Sequence, residues 1–193
     1  TLYKPNYTLK KSRMLHPWQD LMVASQALNQ TALSQMYDTL HKVMDVDRAL
    51  WFVAHEIMFG DDDSYINKGG MDYYIYFDKE TGRLVPLEYD GNSVMRGMAA
   101  TWSIFNKETD VKFPLASRLL KEPELRQRYL AHARVMFNEY LDKTTIDSKI
   151  EKYYALIDSS VNTGTKKIYT YDQFKRKENF SYSVLGIDSA YIH

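Results

Sequence analysis

Asp72-Tyr-Tyr-Ile-Tyr-Phe77, Asp78-Lys-Glu-Thr-Gly82 and the run from Arg83 to Tyr89 read as strand, turn and strand. The first run is rich in aromatic and β-branched residues. The second is turn material closed by a glycine, and the third resumes strand chemistry, so the three together predict a β-hairpin. Pro86 has no N–H to donate, and the outer side of the second strand is expected to lack a partner there.

Outward from this hairpin the pattern turns helical. Upstream, Pro17 suits the first turn of a helix that carries Trp18, Leu21, Met22, Ala24, Ser25 and Leu28 at helical spacing. A second helix is expected from Ala32 to Met44, with Thr31 as its cap and Leu33, Met36, Leu40 and Val43 inward. A third opens at Asp45, carries Val46, Ala49, Leu50, Val53, Ala54 and Ile57, and stops at Gly60. Downstream, Asp90 to Thr109 is a long connection of little periodicity, a kind of segment that is often functional. A short helix follows over Ala116 to Lys121. Pro123 then opens a long one that runs to Leu141, another spans Ile146 to Val161 and ends near Gly164, and a last turn or two covers Tyr171 to Lys177. The expected fold is α+β and mainly helical, a single domain over residues 1–193. A lone hairpin is too small to carry the core, so the helices must.

Composition narrows the function classes. The 193 residues hold 25 basic and 25 acidic side chains, a balance unlike the basic surplus of a nucleic-acid binder. No stretch approaches the roughly 20 apolar residues of a membrane span. Absence of cysteine excludes disulfides, zinc–thiolate centres and a cysteine nucleophile. The chain begins at Thr1 without a methionine, as expected of a processed form or an excised piece.

The residues that can do chemistry lie between Asp61 and Asn92. Asp61-Asp62-Asp63 comes directly after an apolar helix, and such a triplet by itself is ordinary solvated surface. Asp72 and Asp90, however, flank the hairpin, whose open ends are adjacent. Asp62 or Asp63 can join them through the loop of residues 64–71, and converging carboxylates call for a hard cation such as magnesium, manganese or calcium. Gly91 and Asn92 add a tight backbone and an amide oxygen. An EF-hand register places Asp61, Asp63 and Asp72 at ligand positions, but Tyr65 and Ile66 stand where a ligand and a glycine are required. A phosphoryl-transfer site fits better, because it needs one carboxylate to receive a hydroxyl proton and an Asp with an Asn to hold metal over phosphates. Asp62 and Asn67 reproduce the Asp-x-x-x-x-Asn spacing of a kinase catalytic loop. His55-Glu56 lacks the second histidine of a zinc-protease motif. Arg96 is read as surface.

In order, the sequence shows an apolar helix from Val46 to Gly60, then Asp61-Asp-Asp-Ser-Tyr65, Asp72-Tyr-Tyr-Ile-Tyr76, Thr81-Gly82 and Pro86-Leu-Glu-Tyr-Asp90. Pro114-Leu-Ala-Ser-Arg-Leu-Leu and Glu124-Leu-Arg-Gln-Arg-Tyr-Leu come next. This series resembles the spore-coat protein H (CotH) kinase family, an atypical, secretory-type branch of the protein-kinase-like fold. The resemblance covers most of Asp45 to Phe174. It implies a C-terminal, helical kinase-like lobe, ATP with magnesium or manganese as cofactor, and Ser or Thr acceptors on extracytoplasmic or cell-surface proteins. It also implies Asp63 as the catalytic Asp and Asp90 as the metal-binding Asp. The family's Asn before the Tyr-Tyr strand is Asp72 here, which would hold metal with added charge. Asn67 paired with Asp62 is the alternative register, with Asn92 beside the nucleotide. The family's strand-rich N-terminal lobe, with its nucleotide-contacting Lys and Glu, has no counterpart in these residues. The rival expectation is a non-catalytic surface or structural protein that uses the same fold to bind a cation or a partner.

Overall fold

The structure is a computed structural model that describes residues 7–68, 71–94, 99, 101–167 and 170–175. Its centre is helix α3, Val46–Met58. Asp45, where the sequence opens this helix, caps it by accepting a hydrogen bond from the Arg48 N–H at 3.0 Å. Val46, Ala49, Leu50, Val53, Ala54 and Ile57 are all buried, together with Phe52 and Met58. Burial on that many positions makes α3 a core helix with little surface of its own. It packs against β2, Arg83–Glu88, and against the later helices α4, Pro114–Ser117, and α5, Pro123–Val135.

The hairpin forms as expected. β1, Tyr73–Asp78, pairs antiparallel with β2, with Tyr73 opposite Glu88 and Asp78 opposite Arg83. Asp78 ties the turn by accepting from the Glu80 N–H at 3.0 Å and the Thr81 hydroxyl at 2.8 Å, and Gly82 supplies the left-handed residue at φ +69°. The Thr81 hydroxyl, with help from the Glu80 N–H, holds the Asp78 carboxyl below its ordinary range. On the outer side of β2, the Leu84 N–H donates to Val43 O and Leu84 O accepts from the Asp45 N–H, each at 2.9 Å. The next outward-facing N–H belongs to position 86, a proline, and the bridge stops at Leu84.

Helix α1, Pro17–Gln30, opens on a proline and buries Ala24 and Leu28. The second helix departs from expectation. A 3₁₀ turn over Leu33–Gln35 leads into a short α2, Met36–Leu40, with Met36 and Leu40 buried and Leu33 exposed. Thr31 closes α1 as an extended residue and does not cap α2. Val43 and Met44 leave the helix because β2 recruits their backbone. Beyond the hairpin, α5 runs on into one π-helical turn, Met136–Tyr140, where the Leu141 N–H reaches Met136 O at 2.8 Å. Helix α6, Lys143–Thr163, buries no residue, and a short α7, Tyr171–Lys175, lies against it. Lys177 and Arg96 fall outside the described residues. Among the described residues the fold is thus mainly helical with one hairpin, and no helix there is long and apolar enough to cross a membrane.

α3 ends in a Schellman motif. The Gly60 N–H donates to Ile57 O at 3.2 Å and the Asp61 N–H to Glu56 O at 2.9 Å, with Gly60 left-handed at φ +58°. A Cβ at Gly60 would also stand 3.1 Å from Ala99 Cβ, whereas one at Gly82 would meet nothing within 4 Å. Gly82→Ala should therefore cost about 1 kcal/mol, the backbone term alone, and Gly60→Ala about 2 kcal/mol or more. Urea unfolding of the two variants checks this, and equal losses would show that the Ala99 contact contributes nothing.

Candidate active site

The Schellman stop delivers Asp61 straight from the last turn of α3 into a tight loop. Asp61 is buried, and its Oδ1 accepts the Asp63 N–H at 3.2 Å. Burial first, and then the charge of Glu88, push the Asp61 carboxyl up, against the pull of the Asp63 N–H. Asp62 is half-buried. Its carbonyl accepts from Asn67 Nδ2 at 2.8 Å, its N–H lies 3.5 Å from Ser93 O, and its Oδ1 is buried without a hydrogen-bond partner. Asp63 is half-buried and pairs with Lys68 Nζ at 3.3 Å. Asn67 therefore closes the loop onto Asp62.

The hairpin supplies the other side. Asp72 directly precedes β1 and Asp90 stands two residues beyond β2, so the register Tyr73 opposite Glu88 puts both at the open end. Each has a left-handed backbone, φ +51° at Asp72 and φ +55° at Asp90. Asp tolerates that region better than most residues, and such conformations concentrate at functional sites. Asp90 Oδ1 accepts from Asn92 Nδ2 at 2.8 Å, and Asn92 Oδ1 accepts from the Ser93 hydroxyl at 3.0 Å. This 3₁₀ turn, Gly91–Ser93, is what meets the acidic loop through Ser93 O. Asp62 and the Asp90 turn are thus brought side by side, and Asp72 shares the open end with Asp90.

Among the described residues, no group of three or more acidic or imidazole side chains is gathered tightly enough to hold a metal by itself. The hard oxygens present suit a magnesium ion held by one or two carboxylates and completed by phosphate, since that ion seldom uses an all-protein cage. The buried Oδ1 of Asp62, which no donor engages, is an oxygen of the kind such an ion uses.

Two features escape a reading of the sequence. A groove of about 360 Å³ runs between the segment from Tyr7 to Leu21 and the hairpin, lined by Lys10, Lys11, Trp18, Asp72, Tyr74 and Tyr89 among others. Tyr7 Oη stands 3.1 Å from Tyr73 Oη at its wall. No local motif announces a groove built from segments so far apart in sequence. The second is Glu56, fully buried on α3. Its Oε2 accepts from the Ser64 hydroxyl at 2.6 Å and the Ile66 N–H at 2.9 Å, and its Oε1 is buried with no partner. The signal existed, because Glu56 falls three residues after Val53 and seven after Ala49, inside the apolar stripe. Neighbouring His55 is half-buried against the Phe59 ring, and its Nδ1 sits 3.2 Å from Glu88 Oε1, an ion-pair contact without hydrogen-bond geometry.

No curated protein matches this chain. A family model described as CotH kinase protein matches residues 2–188, from the groove-forming segment through the acidic loop, hairpin and helices. With that match spanning nearly its whole length, the chain belongs to the CotH kinase family.

Proposed function

We propose that the protein transfers the γ-phosphoryl group of ATP to Ser or Thr hydroxyls of extracytoplasmic or surface proteins, and that residues 1–193 form the kinase-like lobe bearing the base and metal ligands. The observation that carries this reading is the contact between two loops of different origin. The Asp61–Asn67 loop, handed over by α3, touches the turn behind Asp90 through Asp62 N and Ser93 O. Helix, acidic loop, hairpin and Asp-Gly turn, in that order, match the components of a phosphoryl-transfer site.

In this mechanism Asp63 accepts the proton of the acceptor hydroxyl. The freed oxygen bonds to the γ-phosphorus while the bond to the β–γ bridging oxygen breaks and ADP leaves. Asp90 and Asp72 would hold magnesium or manganese, which when bound neutralises the phosphate charge. Asp62 with Asn67 is the alternative pair. The hydrogen bond from Asn67 to Asp62 O favours a loop-closing role for Asn67, and Asn92 orients Asp90. The groove supports a nucleotide, since Lys10 and Lys11 offer charge to phosphates, Trp18, Tyr74 and Tyr89 offer aromatic faces, and Asp72 marks the end toward the metal.

Radiolabelled transfer from ATP to casein or to co-expressed surface proteins tests this in the full-length protein. Asp63→Asn should lower kcat by about 10²–10⁴-fold with little change in the KM for ATP, because a general base acts in the transition state. Absence of both ATP binding and transfer in the wild type would favour the non-catalytic alternative.

A second expectation concerns metal. Calorimetric titration should show weak binding of manganese alone and stronger binding once ATP is present. Asp90→Asn should weaken both. Asn is the apt substitute, because Ala at φ +55° adds a backbone penalty of about 1 kcal/mol that would blur the result. Unchanged binding in Asp90→Asn would move the metal elsewhere.

A further inference from the structure

We infer that Glu56 is the positioning residue of the acidic loop: its buried carboxyl fixes Ser64 and Ile66, and so sets where Asp63 stands. The inference rests on the phosphoryl-transfer reading for its catalytic consequence, but not for its geometry.

Glu56 is held at both ends of its chemistry. Its backbone carbonyl takes the Asp61 N–H that closes the Schellman motif. Its Oε2 takes the Ser64 hydroxyl and the Ile66 N–H, while Ser64 Oγ also lies 2.9 Å from Asp61 O. One residue of a rigid core helix therefore binds the loop before, beside and after Asp63. Ser64 is completely buried, as are Glu56 and Ile66, so water cannot replace these bonds. A loop crowded with like charges needs such a clamp, since Asp61, Asp62 and Asp63 repel one another.

The surroundings of the clamp favour the uncharged carboxyl. Burial, the largest cause, raises the Glu56 carboxyl to about 8, against the hydrogen bond from Ser64. Glu88 from β2 and Asp61 from the loop push it further up, and the Ile66 N–H pulls it down. His55 on the same helix faces Glu88 and Asp61. The Tyr65 and Tyr73 phenols also face Glu56, and both are raised, chiefly by burial, so they stay neutral. When Glu56 ionises, its Oε1 has no donor to receive, and the new charge stands against Glu88 and Asp61. The folded protein holds this proton more tightly than the unfolded chain, so the contribution to stability is complete below the ordinary value of 4.5 and lost as pH rises toward about 8.

Full-length protein carrying Glu56→Gln or Glu56→Ala tests the inference. Gln keeps an acceptor for Ser64 and Ile66 and cannot ionise. In Glu56→Ala, protection of the Ile66 amide against hydrogen exchange should drop by about tenfold or more, with core amides of α5 unchanged. Transfer kcat should fall by roughly 10–100-fold, with the KM for ATP within about twofold. Glu56→Gln should restore the Ile66 protection and kcat near pH 7. It should also remove the loss of stability expected of the wild type as pH rises toward about 8. Its Tm advantage over the wild type should grow from pH 5 to pH 8, reaching on the order of 5–10 °C. Unchanged Ile66 exchange in a folded Glu56→Ala, or a Tm difference between Glu56→Gln and wild type that does not change with pH, overturns the inference. If Glu56→Ala does not fold, the pH dependence of Glu56→Gln against wild type decides. A wild type that transfers no phosphate refutes the kinase reading alone, because Ile66 exchange and the Tm difference still judge the clamp.

Discussion

Helix α3 stops where it does because only a glycine can turn left-handed under Ala99 at position 60, and the acidic loop is assembled from that point. The helix is packed among β2, α4 and α5. Its last turn therefore fixes the origin of the acidic loop as firmly as the core fixes the helix. The same turn carries Glu56, so a single stretch of backbone both ends the helix and grips the loop beyond it. Interiors packed to crystal-like density transmit position in this way without needing many polar contacts.

Charge is arranged against the grain of the overall composition. Acidic and basic residues are equal in number, yet carboxylates gather on one side, from Glu56 and Asp61 through Glu88 to Asp90. Relief comes from a few placed partners. Lys68 meets Asp63, His55 meets Glu88, and the Thr81 and backbone donors settle Asp78 at the far end of the hairpin. Elsewhere the cations do structural work. Arg118 donates to Leu28 O and Thr31 O, fastening the end of α1 to the α4 region, and Arg126 reaches Glu108 and Leu120 O while lying over the Phe105 ring.

The parts legible in the sequence were those specified locally. α3 announced itself by its period, its start at Asp45 and its glycine stop, and the hairpin by composition and by Asp78 with Gly82. The outer limit at Pro86 followed from the missing donor. What misled was long-range. Val43 and Met44 have helical spacing with Leu40, but Leu84, forty residues on, takes their backbone for a bridge. The proximity of Asp72 and Asp90 could be deduced from hairpin geometry. The contact between Asp62 and Ser93 could not, because it depends on how tightly the loop folds around Glu56. Glu56 was visible as a polar letter in an apolar stripe, though the histidine beside it drew attention to a metal motif that was incomplete.

The left-handed backbones at Asp72 and Asp90 also bear on how these positions can drift. One base change turns an Asp codon into Asn, Gly, Ala, Val, Glu, His or Tyr. Gly accepts the backbone but brings no oxygen, Glu brings oxygen but resists the backbone, and Val resists it most. Asn alone keeps both a side-chain oxygen and ease in that conformation. An exchange between Asp and Asn at position 72 is thus a step the genetic code offers cheaply and the hairpin's backbone tolerates, altering charge while leaving the chain's path as it was.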